Sequence, residues 1–266
     1  MGPLVNHREG DEMAEQKIGL LDADILAYQV ASTHQVTVDW DGDGEISQYV
    51  TSLESAKTKV DKTIGEYMWQ LKLDKMIICL TDKHNFRKDI LSTYKMNRKG
   101  TVKPVLLSVL KEYMSSNYES FIRPGLEADD VLGILATHPT LIPGKKVIIS
   151  IDKDLTQIPG LYFNPDKHTK AVEIKAEDGD YFHLMQTLQG DSVDGYKGCP
   201  GIGPKKAEKI LADSKDPWGD IVSAYMSKGL TEDDALVQAQ VARICQHQNY
   251  NYDTAEVIPW TPEEMQ

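Results

Sequence analysis

Ten carboxylates gather in five short segments of a 266-residue chain: Asp22 with Asp24, Asp82, Glu127 with Asp129 and Asp130, Asp152 with Asp154, and Asp191 with Asp194. Brought into one cleft without partners, they would repel and raise one another's pKa values. Divalent cations remove that conflict, and oxygen ligands without Cys or His point to magnesium or manganese rather than zinc. Two such ions about 4 Å apart clamp the attacking and leaving oxygens of a phosphodiester and lower the pKa of bound water. The chemistry that suits this set is therefore phosphodiester hydrolysis. Each acid also has an ordinary use: Asp154 with Gln157 fits a capping box, and Asp129 and Asp130 fit the positive end of a helix dipole. Spacing argues for a shared site. Glu127 and Asp130 stand at i, i+3 on one helical face, with Val131, Ile134 and Leu135 turned toward a core, and Asp152 and Asp154 lie on one side of an extended chain.

The elements that must position these acids are legible in the pattern. The apolar run over 18–26 predicts a strand ending at Asp22, Lys75–Asp82 a buried strand ending on a carboxylate, and Lys146–Asp152 a third. The segments 35–40 and 45–50 flank Asp41-Gly-Asp-Gly44 and read as a β-hairpin. Asp39, Asp41, Asp43 and Gly44 also fall at calcium-loop positions 1, 3, 5 and 6, but Val50 stands where that loop needs a bidentate Glu, which argues against calcium. Thr51-Ser-Leu-Glu54 predicts a capped helix continued by Leu53, Ala56, Val60, Ile64, Tyr67, Met68 and Leu71. Further helices are expected from about Pro104 and over Leu126–Thr137, a strand pair around 160–175, and a largely helical remainder from Asp178. Strands alternating with helices imply an α/β fold with a mainly parallel central sheet flanked by helices. Ligands bind beyond the carboxyl ends of such strands, where three of the runs place an Asp.

Composition excludes several classes. Hydrophobic residues make up 41% and charged residues 26%, ordinary for a globular protein, and no apolar run nears the roughly 18 to 20 residues that span a bilayer. No membrane association is expected. Cys79, Cys199 and Cys245 are scattered without a C-x-x-C pair, which supports neither a disulfide framework nor structural zinc and fits a reducing cytoplasm. The opening MGPLVNHREG has no apolar core of a secretion signal, so residues 1–16 read as a disordered lead-in or an expression remnant. The net charge of −12 disfavours a polyanionic partner, but its distribution reverses that reading. Between Lys83 and Lys103 seven lysines and arginines stand against one acid, and between Lys197 and Lys209 four lysines against Glu208.

The sharpest local signal is Gly198-Cys-Pro-Gly-Ile-Gly-Pro-Lys-Lys-Ala-Glu-Lys-Ile-Leu211. Gly201 and Gly203 let a ligand approach the backbone, a helix follows from Pro204 with its amides facing outward, and Lys205 and Lys206 add charge there. Such an arrangement grips a phosphate backbone without reading bases. It resembles the hairpin of helix-hairpin-helix DNA-binding elements.

Asp22, Thr81-Asp82, Phe86-Arg-Lys88, Tyr94-Lys-Met-Asn-Arg98, Glu127-Ala-Asp-Asp130, Ser150-Ile-Asp-Lys-Asp154 and Gly190-Asp-Ser-Val-Asp-Gly195, followed by the hairpin, together resemble the flap endonuclease and 5′-to-3′ exonuclease family over about residues 18–211. Among its members the chain is most similar to the exonucleases of short-tailed phages, also over Leu230–Asp234 and Gln240–Ile244. The resemblance implies a PIN-like nuclease core over 17–177 with a basic segment at 83–103, and a helical helix-hairpin-helix (helix-3-turn-helix) DNA-binding region over 178–266 containing the 198–211 hairpin. It implies hydrolysis from 5′ ends of duplex DNA or RNA/DNA hybrids, or at flaps, with two Mg²⁺ or Mn²⁺ ions and potassium at the hairpin. The matching metal positions are Asp22, Asp82, Glu127, Asp129, Asp130, Asp152, Asp154, Asp191 and Asp194; Asp24 is not a general family position. Lys95 and Arg98 map to cleft-facing catalytic cations, with Arg87 and Lys88 nearby on the DNA. Tyr94 would stack on an unpaired terminal base. Lys95 and Arg98, three apart, would share a helical face and neutralise charge on the phosphate in the transition state. The segment after Asp82 is short for a closed helical arch, which favours exonucleolysis over threading. A cytoplasmic role in a phage-infected host, in primer removal or DNA breakdown, is implied by the same likeness.

Two other readings compete. The D-x-D opening at Asp22 and Asp24 resembles haloacid-dehalogenase-type phosphatases, but that pattern expects Thr where Leu26 stands and leaves the hairpin unused. A DNA-junction-binding protein without chemistry is the second; the full set of acids argues against it.

Overall fold

The structure, a computed structural model, describes residues 15–42 and 47–265. The expected lead-in up to residue 14, and residues 43–46 of the hairpin turn, lie outside the described residues. β1 (Lys17–Asp22) is buried along nearly its whole length, as a strand covered on both faces must be. Asp22 ends it and caps α1 (Ala23–Thr33), its carboxylate accepting from the Ile25 amide at 3.2 Å. β2 (Gln35–Val38) and β3 (Ser47–Val50) then pair antiparallel as the hairpin, and α2 (Leu53–Leu71) follows. Its cap is Ser52 rather than Thr51, because the Thr51 hydroxyl donates to the His34 carbonyl while Ser52 accepts from the Ser55 amide.

β4 (Lys75–Cys79) leads into a basic segment holding one turn of helix, α3 (Arg87–Ile90), and a 3-10 turn over Met96–Arg98. Lys95 and Arg98 therefore share no α-helical face: Lys95 sits at φ +54° ahead of the 3-10 turn, a conformation that no helix continues. α4 (Leu107–Asn117) begins three residues after Pro104, because residues 104–107 close a turn and the Val105 amide bonds the Gln35 side chain. β5 (Ser120–Phe121), α5 (Ala128–Thr137), β6 (Lys145–Ile149), β7 (Gly160–Phe163), β8 (Val172–Ile174) and the helices α6 (Ala176–Gln189), α7 (Pro204–Leu211), α8 (Pro217–Met226) and α9 (Glu232–Ala242) complete the main elements. A short ribbon, β9 (Tyr250–Asn251) with β10 (Glu256–Val257), follows, and then a 3-10 turn over Pro262–Met265.

The main sheet runs β5-β4-β1-β6-β7-β8, parallel except for β8. β1 has β4 on one side and β6 on the other: the chain runs outward through β4 and β5, then crosses to β6, and this reversal opens a crevice at the carboxyl end of β1. Asp22 stands at that point. One sheet face is covered by α1, α2 and α4 through Leu26, Val60, Ile64 and Leu110; the other is covered by α5 through Val131, Leu132 and Leu135. Burying each such side chain contributes about 1.5–3 kcal/mol. A separate core, with Leu188, Ile202, Ile221 and Tyr225, joins α6, α7 and α8. The tail touches both cores: Ile244, Cys245 and Tyr250 pack on the α5 face, while Trp260 meets His183 and Trp218 edge-on and Met265 packs on the α6–α8 core. No helix among the described residues is long and apolar enough to cross a membrane.

Candidate active site

A cleft of about 360 Å³ opens beyond the carboxyl end of β1 and is lined by Asp22, Asp24, Glu127, Asp129, Asp152, Asp154, Asp191 and Asp194, with Tyr94, Lys95, Arg98 and Lys153. Seven of the nine expected metal positions thus meet there, brought from the end of β1, the start of α5, the turn after β6 and the loop after α6. Asp152 and Asp154 both reach it although the chain does not stay extended: Asp152 caps the 3-10 turn over Lys153–Gln157, accepting from the Asp154 amide at 2.8 Å.

Burial pushes Asp22 up to about 7; hydrogen bonds from Ser150 and the Ile25 amide oppose this, and the charges of Asp24 and Asp152 add to it. Burial, then the charges of Asp22, Asp152 and Glu127, raises Asp129 well above the ordinary carboxylate range. Asp154 is raised to about 6 by burial, then by Asp152, with smaller contributions from Asp191 and Asp194. Like charges held this close call for cations. Asp154 Oδ1 is buried and receives no hydrogen bond, and Lys153 Nζ stands 4.0 Å from it. No His or Cys lines the cleft, so the donors are hard oxygens suited to Mg²⁺ or Mn²⁺. Among the described residues no three of the acids stand close enough to enclose an ion unaided; Mg²⁺ usually keeps several waters and takes one or two carboxylates with substrate phosphate. The residues fit such ions on these grounds.

Within the same cleft, Lys95 Nζ is 2.6 Å from Glu127 Oε1 and 3.6 Å from Asp194 Oδ2, and the Arg98 guanidinium pairs with Asp194. Burial would lower Lys95, but Glu127 and Asp194 outweigh it and raise its pKa; burial would raise Glu127, but Lys95 and Arg87 hold it below the usual range. Lys95 and Arg98 both line the cleft, reaching it from a 3-10 turn rather than from one helical face.

Four expected positions have other roles. Asp130 is wholly buried, and its oxygens accept from Arg87 Nη1 and Nη2, both at 2.7 Å, and from the Glu127 and Cys245 amides. With both oxygens so engaged it faces away from the cleft and anchors α5. Arg87, expected on DNA, is 4% exposed and also donates to the carbonyls of Val241 and Arg243, fastening α3 to α5 and the end of α9. Asp82 stands outside the cleft lining: the Gly125 amide, then those of Lys83 and His84, hold its carboxyl below the ordinary range. Tyr94 is 3% exposed and so offers no face to a base; its hydroxyl donates to Glu127 and Asp194 at 2.9 and 3.2 Å. Lys88 remains exposed. Asp24, of unassigned role in sequence, lines the cleft and pairs with Lys111 of α4 at 2.8 Å. The sequence gives no local sign of Lys111 or of Lys153 as cleft neighbours.

At the hairpin, Gly201 has φ +74°, which disfavours any side chain, and a Cβ at Gly201 or Gly203 would meet nothing within 4 Å. The backbone is open to a ligand. Gly203 caps α7 and Pro204 is its first residue. Lys206 turns back to the Gly201 carbonyl at 2.8 Å, and Lys205 is exposed.

A carboxylate cleft at the switch point of a parallel sheet, faced by cations and followed by a Gly-rich hairpin, defines the class of metal-dependent phosphodiester hydrolases. Residues 20–173 match the family described as 5′-3′ exonuclease, N-terminal resolvase-like domain. The chain is 30% identical to the exodeoxyribonuclease of Enterobacteria phage T3, over 96% of this chain and 95% of that one. It is also 30% identical to the exonuclease of Escherichia phage T7, over 96% of each. In fold it is similar to the phage T5 D15 protein co-crystallised with metal ions, with a TM-score of 0.64 at 15% identity over 85% of this chain and 89% of that one. The chain belongs to the 5′-3′ exonuclease family.

Proposed function

We propose that this nuclease hydrolyses phosphodiesters stepwise from 5′ ends of duplex DNA and of RNA/DNA hybrids, with flap cutting as a lesser activity. The observation that carries the reading is the convergence of seven carboxylates from four segments at the end of β1, with Lys95 and Arg98 paired to two of them. We take Asp22, Asp129, Asp152, Asp154, Asp191 and Asp194, with Glu127, as the residues that would hold two Mg²⁺ or Mn²⁺ ions. Such ions supply charge neutralisation of the phosphate and an acidified water. The chain's own part is positional and electrostatic. Asp22 is fixed by Ser150 and by its place as cap of α1, and Glu127 and Asp194 are held by Tyr94. Lys95 and Arg98, already at the cleft, offer positive charge where the phosphate gains negative charge in the transition state.

Residues 178–266 act as the DNA-binding part: the open hairpin backbone and Lys205 would bind phosphates regardless of sequence, with potassium at the hairpin. The similarity to phage exonucleases supports work in the host-cell cytoplasm. The short basic segment, with a single α-helical turn, favours ends over threaded flaps.

The test is digestion of 5′-labelled recessed duplex, flap and RNA/DNA hybrid with Mg²⁺ and with EDTA, followed by product sizing. Mononucleotides that depend on metal support the reading. Discrete longer fragments from flaps alone would assign junction cutting instead, and release of inorganic phosphate with intact DNA would reject nuclease activity.

A further inference from the structure

The loop after α6 carries two of the cleft acids, and its own hydrogen bonds are turned inward. Asp191 and Tyr196 exchange backbone bonds at 2.9 and 3.1 Å, and the Asp191 side chain accepts from the amides of Val193 and Asp194. This leaves the carbonyls of Ser192, Val193 and Asp194 to be satisfied from outside the loop. The basic segment satisfies all three. The Lys95 amide donates to the Asp194 carbonyl at 2.7 Å. The Asn97 side-chain amide donates to the carbonyls of Ser192 and Val193 at 3.0 and 3.1 Å, and Arg98 Nε to that of Val193 at 3.3 Å. The two strands of chain approach so closely that a Cβ on Gly195, at φ +78°, would lie 3.1 Å from the Thr93 carbonyl oxygen and 3.2 Å from the Lys95 nitrogen.

We infer that Asn97 is a positioning residue: its amide fixes the loop bearing Asp191 and Asp194 in register with Lys95 and Arg98, so that acids and cations face the cleft at one spacing. The inference rests on the nuclease reading of that cleft. Chemistry singles out Asn97. A side-chain NH₂ has two hydrogens for two neighbouring carbonyls, whereas a carboxylate there would set oxygen against oxygen. Lys95 also holds a backbone conformation that non-glycine residues seldom adopt and that persists only where surrounding structure enforces it; the bonds of Asn97 and of the Lys95 amide enforce it. Asn97 is exposed at the rim and does not line the cleft, so it acts through the loop rather than on the substrate. Misplacing reacting groups by about 1 Å can cost a hundredfold in rate.

The test compares the full chain with Asn97→Ala, Asn97→Asp and Asn97→Gln by calorimetric Mn²⁺ titration, thermal unfolding, and kcat and KM on a recessed-5′ duplex. Asn97→Ala and Asn97→Asp should bind Mn²⁺ about tenfold more weakly and lose about ten- to a hundredfold in kcat with KM nearly unchanged. Their unfolding temperature should be unaltered, and Asn97→Gln, which keeps the two donors, should recover part of both losses. A rise in KM equal to the fall in kcat would place Asn97 on the DNA and overturn the inference. So would unchanged Mn²⁺ uptake in Asn97→Ala, whether or not the protein unfolds earlier. The titration separates this inference from the nuclease reading: weakened Mn²⁺ uptake supports the role of Asn97 even if the unaltered protein leaves DNA intact, which by itself would reject only the nuclease reading.

Discussion

Replacing Arg87 with methionine tests whether this arginine serves the fold or the DNA. The guanidinium makes two 2.7 Å bonds to Asp130 and donates to two carbonyls at the end of α9. Neither partner of the ion pair is more than 4% exposed, so solvent and salt screen it little. Methionine fills much of the space but leaves Asp130 with only the Glu127 and Cys245 amides. Removing one partner of such a pair costs about 3–5 kcal/mol. In the unaltered protein Arg87 holds Asp130 below the ordinary carboxylate pKa despite burial, which stabilises the fold above the unfolded value of 3.8 and is lost as pH falls through the folded one. Without Arg87 only the two amides oppose burial, which raises Asp130, so folding is penalised as pH rises above 3.8. The stability gap between the two proteins should therefore be widest near neutral pH and narrow on acidification. Urea denaturation at pH 7.5 and pH 5, in low and high salt, measures it, and the additional change Asp130→Leu should restore much of the loss. An Arg87→Met protein as stable as the original but weaker on duplex would refute the reasoning and return Arg87 to the DNA interface.

Three further outcomes are expected. Lys95→Ala should lower turnover far more than duplex affinity, because the ammonium stands at Glu127 and Asp194 inside the cleft; equal losses in both would reject a catalytic role. Lys205→Ala combined with Lys206→Ala should weaken binding to all sequences and make its salt dependence shallower, and an unchanged slope of log affinity against log salt would contradict phosphate contacts at the hairpin. His183 is pushed down to about 3 by burial, then by Arg243, against its hydrogen bond to the Ala239 carbonyl. Its folded pKa lies below the unfolded 6.5, so the unfolded state takes up the proton first and stability is lost as pH falls from 6.5 toward 3. At about 1.4 kcal/mol per pKa unit this amounts to several kcal/mol. His183→Gln should flatten the dependence of unfolding free energy on pH in that window, and an unchanged slope would show that His183 is not its source.

The local rules served well where neighbours in sequence are neighbours in space. The strand ending at Asp22, the apolar face of α2 and the Gly203-Pro204 start of α7 follow from periodicity and proline's fixed φ. They served less well in the basic segment. Its charge suggested a helical face and a DNA contact, yet Arg87 is drawn inward by Asp130, 43 residues away, and by carbonyls more than 150 residues away. Charge density marks a segment, not the direction of each side chain.

The sequence by itself determined the alternation of strands and helices, the acid that ends β1 and those at helix starts, and the glycines that open the hairpin, because each depends on contacts within a few residues; Asp82 and Asp152 stand three residues beyond the ends of β4 and β6 rather than on them. Only the tertiary structure decided that Asp129 faces the cleft while Asp130 beside it locks the core, that Asp82 serves a loop, and that Asn97 joins two distant segments. Those choices turn on which donor lies opposite each carboxylate after packing. Adjacent residues on a helix point in directions about a third of a turn apart, so one step along the chain exchanges a cation in the core for an open cleft.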